Sequence, residues 1–408
     1  MDQIQRDIRL GQVFSPAAPV DKLKLFAGRA QQRADFIDAV LQRGRHAVLF
    51  GERGVGKTSL SSVIKEFLEK VGQTVLAPRV NCDFTDTFST IWKKVFKEFR
   101  YIEERQKIGF GGESDAILHS VAEQVEGRDV TPDDVRDVLS AVGQNRILIV
   151  IIDEFDRVAE RMGTLFSDTI KTLSDQSVPG TLVLVGVADT VEALIREHES
   201  VERALAQIRV PRMSRDELNE IITLGLKDVE MTIQDDARAR LVALSQGLPH
   251  YTHLVGLYAA RNANRENRLE ISRSEIRAGV EEAVKNAQES IVATHHRAVM
   301  SARGESLYRQ VALACALAKT DERGYFTSSS VRRPMSVIMG RTYDIPAFAR
   351  HMNEFCETTR GPILQKIGTP RNYRFRFVNP LMQPFIIMDG MSKGLIDDDK
   401  LTELGSEI

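Results

Sequence analysis

Residues 51–58, GERGVGKT, carry the spacing G-x4-G-K-T. Glycines at such positions let successive backbone N–H groups turn toward one point, where they cradle phosphate oxygens. Lys57 then supplies a mobile positive charge for the terminal phosphates of a nucleotide, and the Thr58 hydroxyl supplies a ligand for Mg²⁺. The candidate nucleotide contacts are therefore Gly51, Glu52, Arg53, Gly54, Val55, Gly56, Lys57 and Thr58, with Ser59 directly after them. A second constellation is Asp153-Glu154, at the end of the apolar run 147–152, ILIVII. Asp153 is suited to hold the Mg²⁺ shell, and Glu154 to orient and activate an attacking water, which is the main local chemistry phosphoryl transfer needs. Asp156 and Arg157 follow in DEFDR, and Asp156 reads as a solvated helix start.

These groups work only if regular elements bring them together. The loop at 51–58 lies between an apolar strand, 46–50 (HAVLF), and an amphipathic helical pattern over 57–71. A helix start at that point adds its partial positive charge to the phosphate site. Further strand patterns occupy 74–80, 146–152, 181–187 and 207–210. The two longest are continuous apolar runs rich in β-branched residues, as expected of strands buried on both faces. Strands alternating with helices imply a parallel sheet, and its carboxyl edge is where ligands of open α/β folds bind. Residues 31–42 read as a helix, and 86–142 as helical and polar, with a Pro-led helix start at 131–134. The opening residues to about 20 contain FSPAAPV, whose prolines favour an extended arm. From 214 the strand signals stop, and helical patterns cover 215–227, 235–246, 249–263 and 273–299.

Bulk composition sets the limits. At 408 residues the chain is long enough for two or three domains. Its 42% hydrophobic and 27% charged content are those of a folded globular protein. Three dispersed cysteines, Cys82, Cys315 and Cys356, form no metal or disulfide pattern, which points to a reducing cytoplasm. The first residues show no apolar signal core, no run approaches a membrane span, and no membrane partner is expected. Net charge is −2, yet residues 301–380 hold 13 Lys/Arg against 6 Asp/Glu. That local excess suits a nucleic-acid-binding module, the alternative being a basic face that meets an acidic neighbour. Within it, helices are expected near 307–318, 328–338 and 346–358, then a hairpin over 363–378. In YRFRF (373–377) aromatic and basic residues alternate, so Arg374 and Arg376 point away from the packed face. His253, one turn beyond His250, reads as solvent-facing or helix-capping, and His295-His296 as surface. The tail after 392 is acidic and reads as mobile.

With these motifs in place, FAGR at 26–29, GERGVGKTS, VIIDEFD and the GLP turn at 247–249 together resemble AAA+ P-loop ATPases. The similarity is to the origin-recognition/initiator type and the related bacterial STAND-like ATPases, over about residues 14–300. It implies a P-loop NTPase parallel sheet (the AAA+ core), an α-helical lid and a C-terminal winged-helix domain. The corresponding divisions are an arm (1–27), the core (28–212), the lid (213–299), the winged helix (300–392) and the tail (393–408). It also implies ATP and Mg²⁺ as ligands and self-association in the ATP state.

Residue by residue, the resemblance places Val20 and Arg29 near the adenine, although the same segment could serve as a hydrophobic staple on the first helix. Asp189 or Thr190 matches the first sensor, where Asp replaces the usual Asn, Ser or Thr. A second carboxylate near the γ-phosphate is repulsive unless it is paired or bridged by Mg²⁺. Arg203 matches the arginine finger that enters a neighbour's site, or else forms an ion pair with Glu199. His250 stands where the second sensor normally carries Arg, which implies weaker lid coupling or a pH-sensitive contact. In a winged helix, Arg350 and His351 on the third helix would enter a groove of duplex DNA, and Arg371, Arg374 and Arg376 would meet phosphates.

Three functions remain open at this point. One is a slow, ATP-hydrolysing switch that assembles on duplex DNA. The second is a STAND-like signalling or defence ATPase whose C-terminal module binds a protein partner. The third is a transposition regulator or loader that handles both DNA and a protein client.

Overall fold

The computed structural model describes residues 1–106, 114–195, 199–301, 306–370 and 372–405. The chain divides into two compact units. One comprises Val20–Glu52 and Lys57–Val210; the other comprises Met1–Pro19, Arg53–Gly56 and Pro211–Ile408.

The first unit is an α/β sandwich around one sheet. Its strands are β1 (His46–Gly51), β2 (Val75–Leu76), β3 (Arg79–Asn81), β6 (Ile147–Asp153), β7 (Thr181–Val187) and β8 (Leu205–Arg209). Between β3 and β6, strands β4 (Arg100–Gln106) and β5 (Ser114–Ser120) pair with each other as an antiparallel hairpin. In the main sheet the order is β2-β6-β7-β1-β8, every pairing is parallel, and β3 adds to β6 after the break at Pro78. The apolar runs read as two-face-buried strands are so: Ile149, Val150, Val183 and Val185 are fully buried. Thr131 caps the helix Pro132–Val142 through a capping box, with Pro at the first turn. The segment 86–142 is not helical throughout, because the β4–β5 hairpin interrupts it.

The second unit begins with an α-helix, Gln3–Val13, where an extended arm is expected from sequence. Asp2 and Gln5 form its capping box, and only the proline-bearing residues after Phe14 leave the helix. Phe14 is fully buried against the helices Arg215–Asp228 and Pro249–Arg265, where Gly225 and Gly256 make room for its ring. The predicted helix over 273–299 is two helices, Arg273–Lys285 and Glu289–Val299. Two short parallel strands, β9 (Thr232–Ile233) and β10 (Glu270–Ile271), interrupt the otherwise helical block.

The remainder runs helix (Tyr308–Ala316), β11 (Phe326–Thr327), helix (Ser328–Met339), helix (Ile345–Glu354), β12 (Leu364–Ile367) and β13 (Arg374–Phe377). β13 lies between β11 and β12, all antiparallel. Phe375 and Phe377 are buried while Arg374 is exposed, as the alternation requires. The tail differs from expectation. Asp398–Gly405 is a helix with Leu401 and Leu404 buried, so its acidic composition reflects one solvated face. Among the described residues no helix is long and apolar enough to cross a membrane.

Candidate nucleotide site

The loop geometry starts at Gly51, the last residue of β1. Its φ is 149°, and a Cβ there would lie 2.3 Å from the Val210 carbonyl oxygen, so only glycine fits. Lys57 begins the helix Lys57–Lys70. Its Nζ donates to the carbonyls of Gly51 (3.0 Å) and Glu52 (2.7 Å), curling the amine back over the loop. The loop tip, Arg53–Gly56, belongs to the other compact unit. There a Cβ on Gly54 would meet Leu381 Cδ2 at 2.9 Å, and one on Gly56 would sit 3.8 Å from Pro249. Leu381 is itself fixed, because the Tyr251 hydroxyl donates to its carbonyl at 2.6 Å.

Asp153 ends β6 and is 4% exposed. Its Oδ2 accepts from the Thr58 hydroxyl (2.9 Å) and from Arg79 Nη2 (2.7 Å), and its Oδ1 from the Glu154 N–H (2.8 Å). A hydroxyl and a carboxylate in contact, beside a phosphate-type loop, form a hard-oxygen donor set suited to a small divalent cation such as Mg²⁺. Arg79 arrives from β3, in register with Ile151 of β6, and its Nη1 donates to Ser62 one helical turn beyond Thr58 (2.7 Å). Sequence reasoning missed it. The available signal was a lone arginine in the short run LAPRVNC (76–82).

Glu154 takes a left-handed conformation, φ 55°, and its carboxylate lies 3.0 Å from Arg157 Nε. A non-glycine residue held there costs of order 1–3 kcal/mol, strain that recurs at functional sites. Asp156 is more than a solvated helix start. Its Oδ1 accepts from the Val187 N–H at 2.8 Å and pins the end of β7, from which the loop bearing Asp189 departs.

The other predicted contacts are distributed as follows. Val20 donates its N–H to Ser59 Oγ at 3.1 Å, which ties the segment before the core to the loop's helix. Arg29 is buried, at φ 61°, immediately before the helix Ala30–Leu41. Asp189 is exposed in the bend after β7. Arg203 is 75% exposed and pairs with Asp175 at 3.0 Å; the side chain of Glu199, the partner considered from sequence, lies outside the described residues. His250 is half-buried, with Nδ1 3.0 Å from the Pro16 carbonyl. Burial, and then the nearby Arg53 charge, lower its pKa, so the ring is neutral at pH 7 with Nδ1–H donating.

His253 and His295 are not solvent-facing. Both are buried, and desolvation lowers each to about 4. His253 sets its ring edge against Phe14, and His295 against Phe385.

The candidate nucleic-acid residues lie on the C-terminal strands and helices. Arg374 pairs with Asp321 at 3.2 Å, and the guanidinium groups of Arg374 and Arg376 both lie over the Tyr325 ring. Arg350, 83% exposed, pairs with Glu354 at 2.7 Å, while His351 packs edge-on against Tyr308. Arg371 lies outside the described residues.

The sequence matches the family described as nSTAND1, Novel STAND NTPase 1, over residues 19–337. The chain belongs to that family. Its match spans the loop, the Asp153-Glu154 strand end and the helical block, so this Novel STAND NTPase is a P-loop NTPase with a parallel-sheet core. Solved structures similar to it include the Aeropyrum pernix ORC2 protein, 17% identical with a TM-score of 0.49, covering 97% of this chain and 98% of that one. The Aeropyrum pernix ORC1 protein in complex with DNA is 14% identical with a TM-score of 0.48, covering 96% and 97%. A Walker-type ATPase of Pyrococcus abyssi is 13% identical with a TM-score of 0.48, covering 92% and 99%. These identities and TM-scores are too low for their ligands to be carried over. No curated protein matches the sequence.

Proposed function

We propose that this Novel STAND NTPase binds and hydrolyses ATP with Mg²⁺, and that nucleotide state controls a slow switch. The observation that carries this reading is the contact of Thr58 with Asp153 at 2.9 Å, with Glu154 next in the chain. Mg²⁺, when bound there, supplies charge to the terminal phosphates. Lys57 would leave the Gly51 and Glu52 carbonyls for phosphate oxygens, while Thr58 and Asp153 would hold the metal's ligand shell. Glu154 would release Arg157, orient a water and accept its proton at a carboxylate oxygen. Asp189 and His250 are placed by this reading as contacts that sense the nucleotide. Arg203, exposed and paired with a half-exposed Asp175, can exchange that partner for a neighbouring subunit's phosphate. As part of the same proposal, residues 28–212 are assigned to the core, 213–299 to the helical lid and 300–392 to the C-terminal module.

The helix–strand–helix–helix–strand–strand order of residues 308–377, with the middle strand β13, supports a winged-helix module that grips duplex DNA in the assembled ATP state. Arg350 and Arg374 support it too, because exposed ion pairs of their kind are weak and exchange readily for phosphate. Duplex binding would be measured with ATP across a salt series, on the wild type and on a variant with Arg371, Arg374 and Arg376 changed to Ala. The log–log salt slope should fall by about 0.9 for each phosphate that the variant no longer neutralises. An unchanged slope and affinity would remove the DNA role of the wing.

A second reading, a signalling switch whose C-terminal module contacts a protein, is favoured by one observation. Tyr325, Asp321 and Glu354 already engage Arg374, Arg376 and Arg350, as in a folded interaction surface. In that case wild type and triple variant would both fail to bind duplex at low salt.

A further inference from the structure

The Asp153 carboxylate has a cation of its own. Arg79 Nη2 lies 2.7 Å from Oδ2, the same oxygen that accepts from Thr58, and Asp153 is almost wholly buried while Arg79 is about one-quarter exposed. A second route joins the same groups. Arg79 Nη1 donates to Ser62 Oγ, and Ser62 donates to the Thr58 carbonyl at 2.7 Å. Arg79 therefore holds both residues of the hard-oxygen donor set, one through its carboxylate and one through its helix turn. A buried carboxylate left alone would strongly attract a divalent cation; a guanidinium bonded to it cancels much of that field.

We propose that Arg79 is a positioning residue that takes the place of much of the metal's charge at Asp153. Nucleotide then binds this protein with little help from Mg²⁺, and Mg²⁺ itself is held loosely and exchanges easily. This inference rests on the nucleotide reading of the loop, and goes beyond it by making the metal, not the nucleotide, the loosely held component. It concerns how the site is charged, and needs no turnover.

The test titrates a fluorescent ATP analogue against the wild type, Arg79→Gln, Arg79→Lys, and Asp153→Asn with and without Arg79→Gln, once in EDTA and once at increasing Mg²⁺. In Arg79→Gln, the Mg²⁺ concentration giving half of the metal-dependent gain should fall about tenfold, equivalent to about 1.4 kcal/mol. Affinity in EDTA should fall several-fold in the same variant, because an uncompensated carboxylate then faces the phosphates. Arg79→Lys, which keeps the charge, should return both values toward wild type. Arg79→Gln added to Asp153→Asn should no longer move the Mg²⁺ midpoint, because the carboxylate that Arg79 neutralises is gone. A merely structural role would lower affinity in EDTA and in Mg²⁺ together and leave the Mg²⁺ midpoint in place; that result overturns the proposal, as does a midpoint that rises. Wild type failing to bind the analogue under either condition would instead refute the nucleotide reading, on which this inference depends.

Discussion

His46 opens β1, the strand that delivers the phosphate-binding loop, and it is fully buried. Its Nδ1 accepts the Leu182 N–H at 3.0 Å, so the neutral ring carries its proton on Nε2. Desolvation lowers its pKa from 6.5 to about 4. In the unfolded chain the same ring titrates near its ordinary value, so between those two values the unfolded state binds more protons. Stability is therefore fully present above about pH 6.5 and is lost as pH falls toward 4. The slope approaches about 1.4 kcal/mol per pH unit, and the shift integrates to about 3 kcal/mol from this one residue. His46→Asn keeps an acceptor, Oδ1, for the Leu182 N–H and removes the titration. Urea unfolding from pH 7.5 to 4.5 would be run on both proteins. Their stability difference should be constant near neutrality and then shrink steadily as the wild type loses its advantage. His253 and His295 titrate in both proteins and cancel. A difference flat to within about 0.5 kcal/mol down to pH 4.5 would refute the burial argument, because a solvated His46 has nothing to lose.

Three further outcomes follow from the geometry. Gly51→Ala places a methyl 2.3 Å from the Val210 carbonyl at φ 149° and should cost about 3 kcal/mol or more in urea unfolding, whereas Gly72→Ala, at φ 84° with open space, should cost about 1 kcal/mol. Phe14→Ala empties the space lined by Gly225 and Gly256 and should cost about 3–5 kcal/mol, with early proteolytic release of the N-terminal helix as the independent readout. Lys57→Ala should abolish tight ATP binding in equilibrium titration, while Glu154→Gln should bind ATP like the wild type and release no phosphate; equal turnover by Glu154→Gln and wild type would remove Glu154 from its role.

The parts legible from sequence share a cause. Continuous β-branched runs such as 146–152 and 181–187 bury both faces and can only be central strands, so β6 and β7 match their expected bounds closely. The loop and Asp153 then follow from position alone, because a parallel sheet brings strand ends to one edge. The parts that were not legible depend on partners far away in sequence. Gln3–Val13 has too few apolar residues to announce a helix, and its stability comes from Phe14 and from Arg6 donating to Val229 and Asn264. His253 and His295 look like surface histidines because single-sequence reading has no measure of burial. Arg79 was invisible for the same reason: its meaning is the carboxylate 74 residues away.

The polar groups that the proposal assigns to the nucleotide are each engaged by the chain itself. Lys57 bonds two carbonyls of its own loop, Asp153 holds Arg79 and Thr58, Glu154 holds Arg157, and Arg203 holds Asp175. Under the ATPase reading, nucleotide, Mg²⁺ and the attacking water must replace these contacts, so the net gain from each is the small difference between two good partners. The exchange is least costly where the existing pair is exposed, at Glu154–Arg157 and Arg203–Asp175, and most costly at the buried Asp153. The expected order is therefore nucleotide first on Lys57, the exposed pairs next, and Asp153 last. A site that rearranges in that order favours long-lived bound states over rapid turnover. That is the behaviour expected of a switch, and it makes Arg79 the residue whose removal should alter the cycle most without touching the nucleotide.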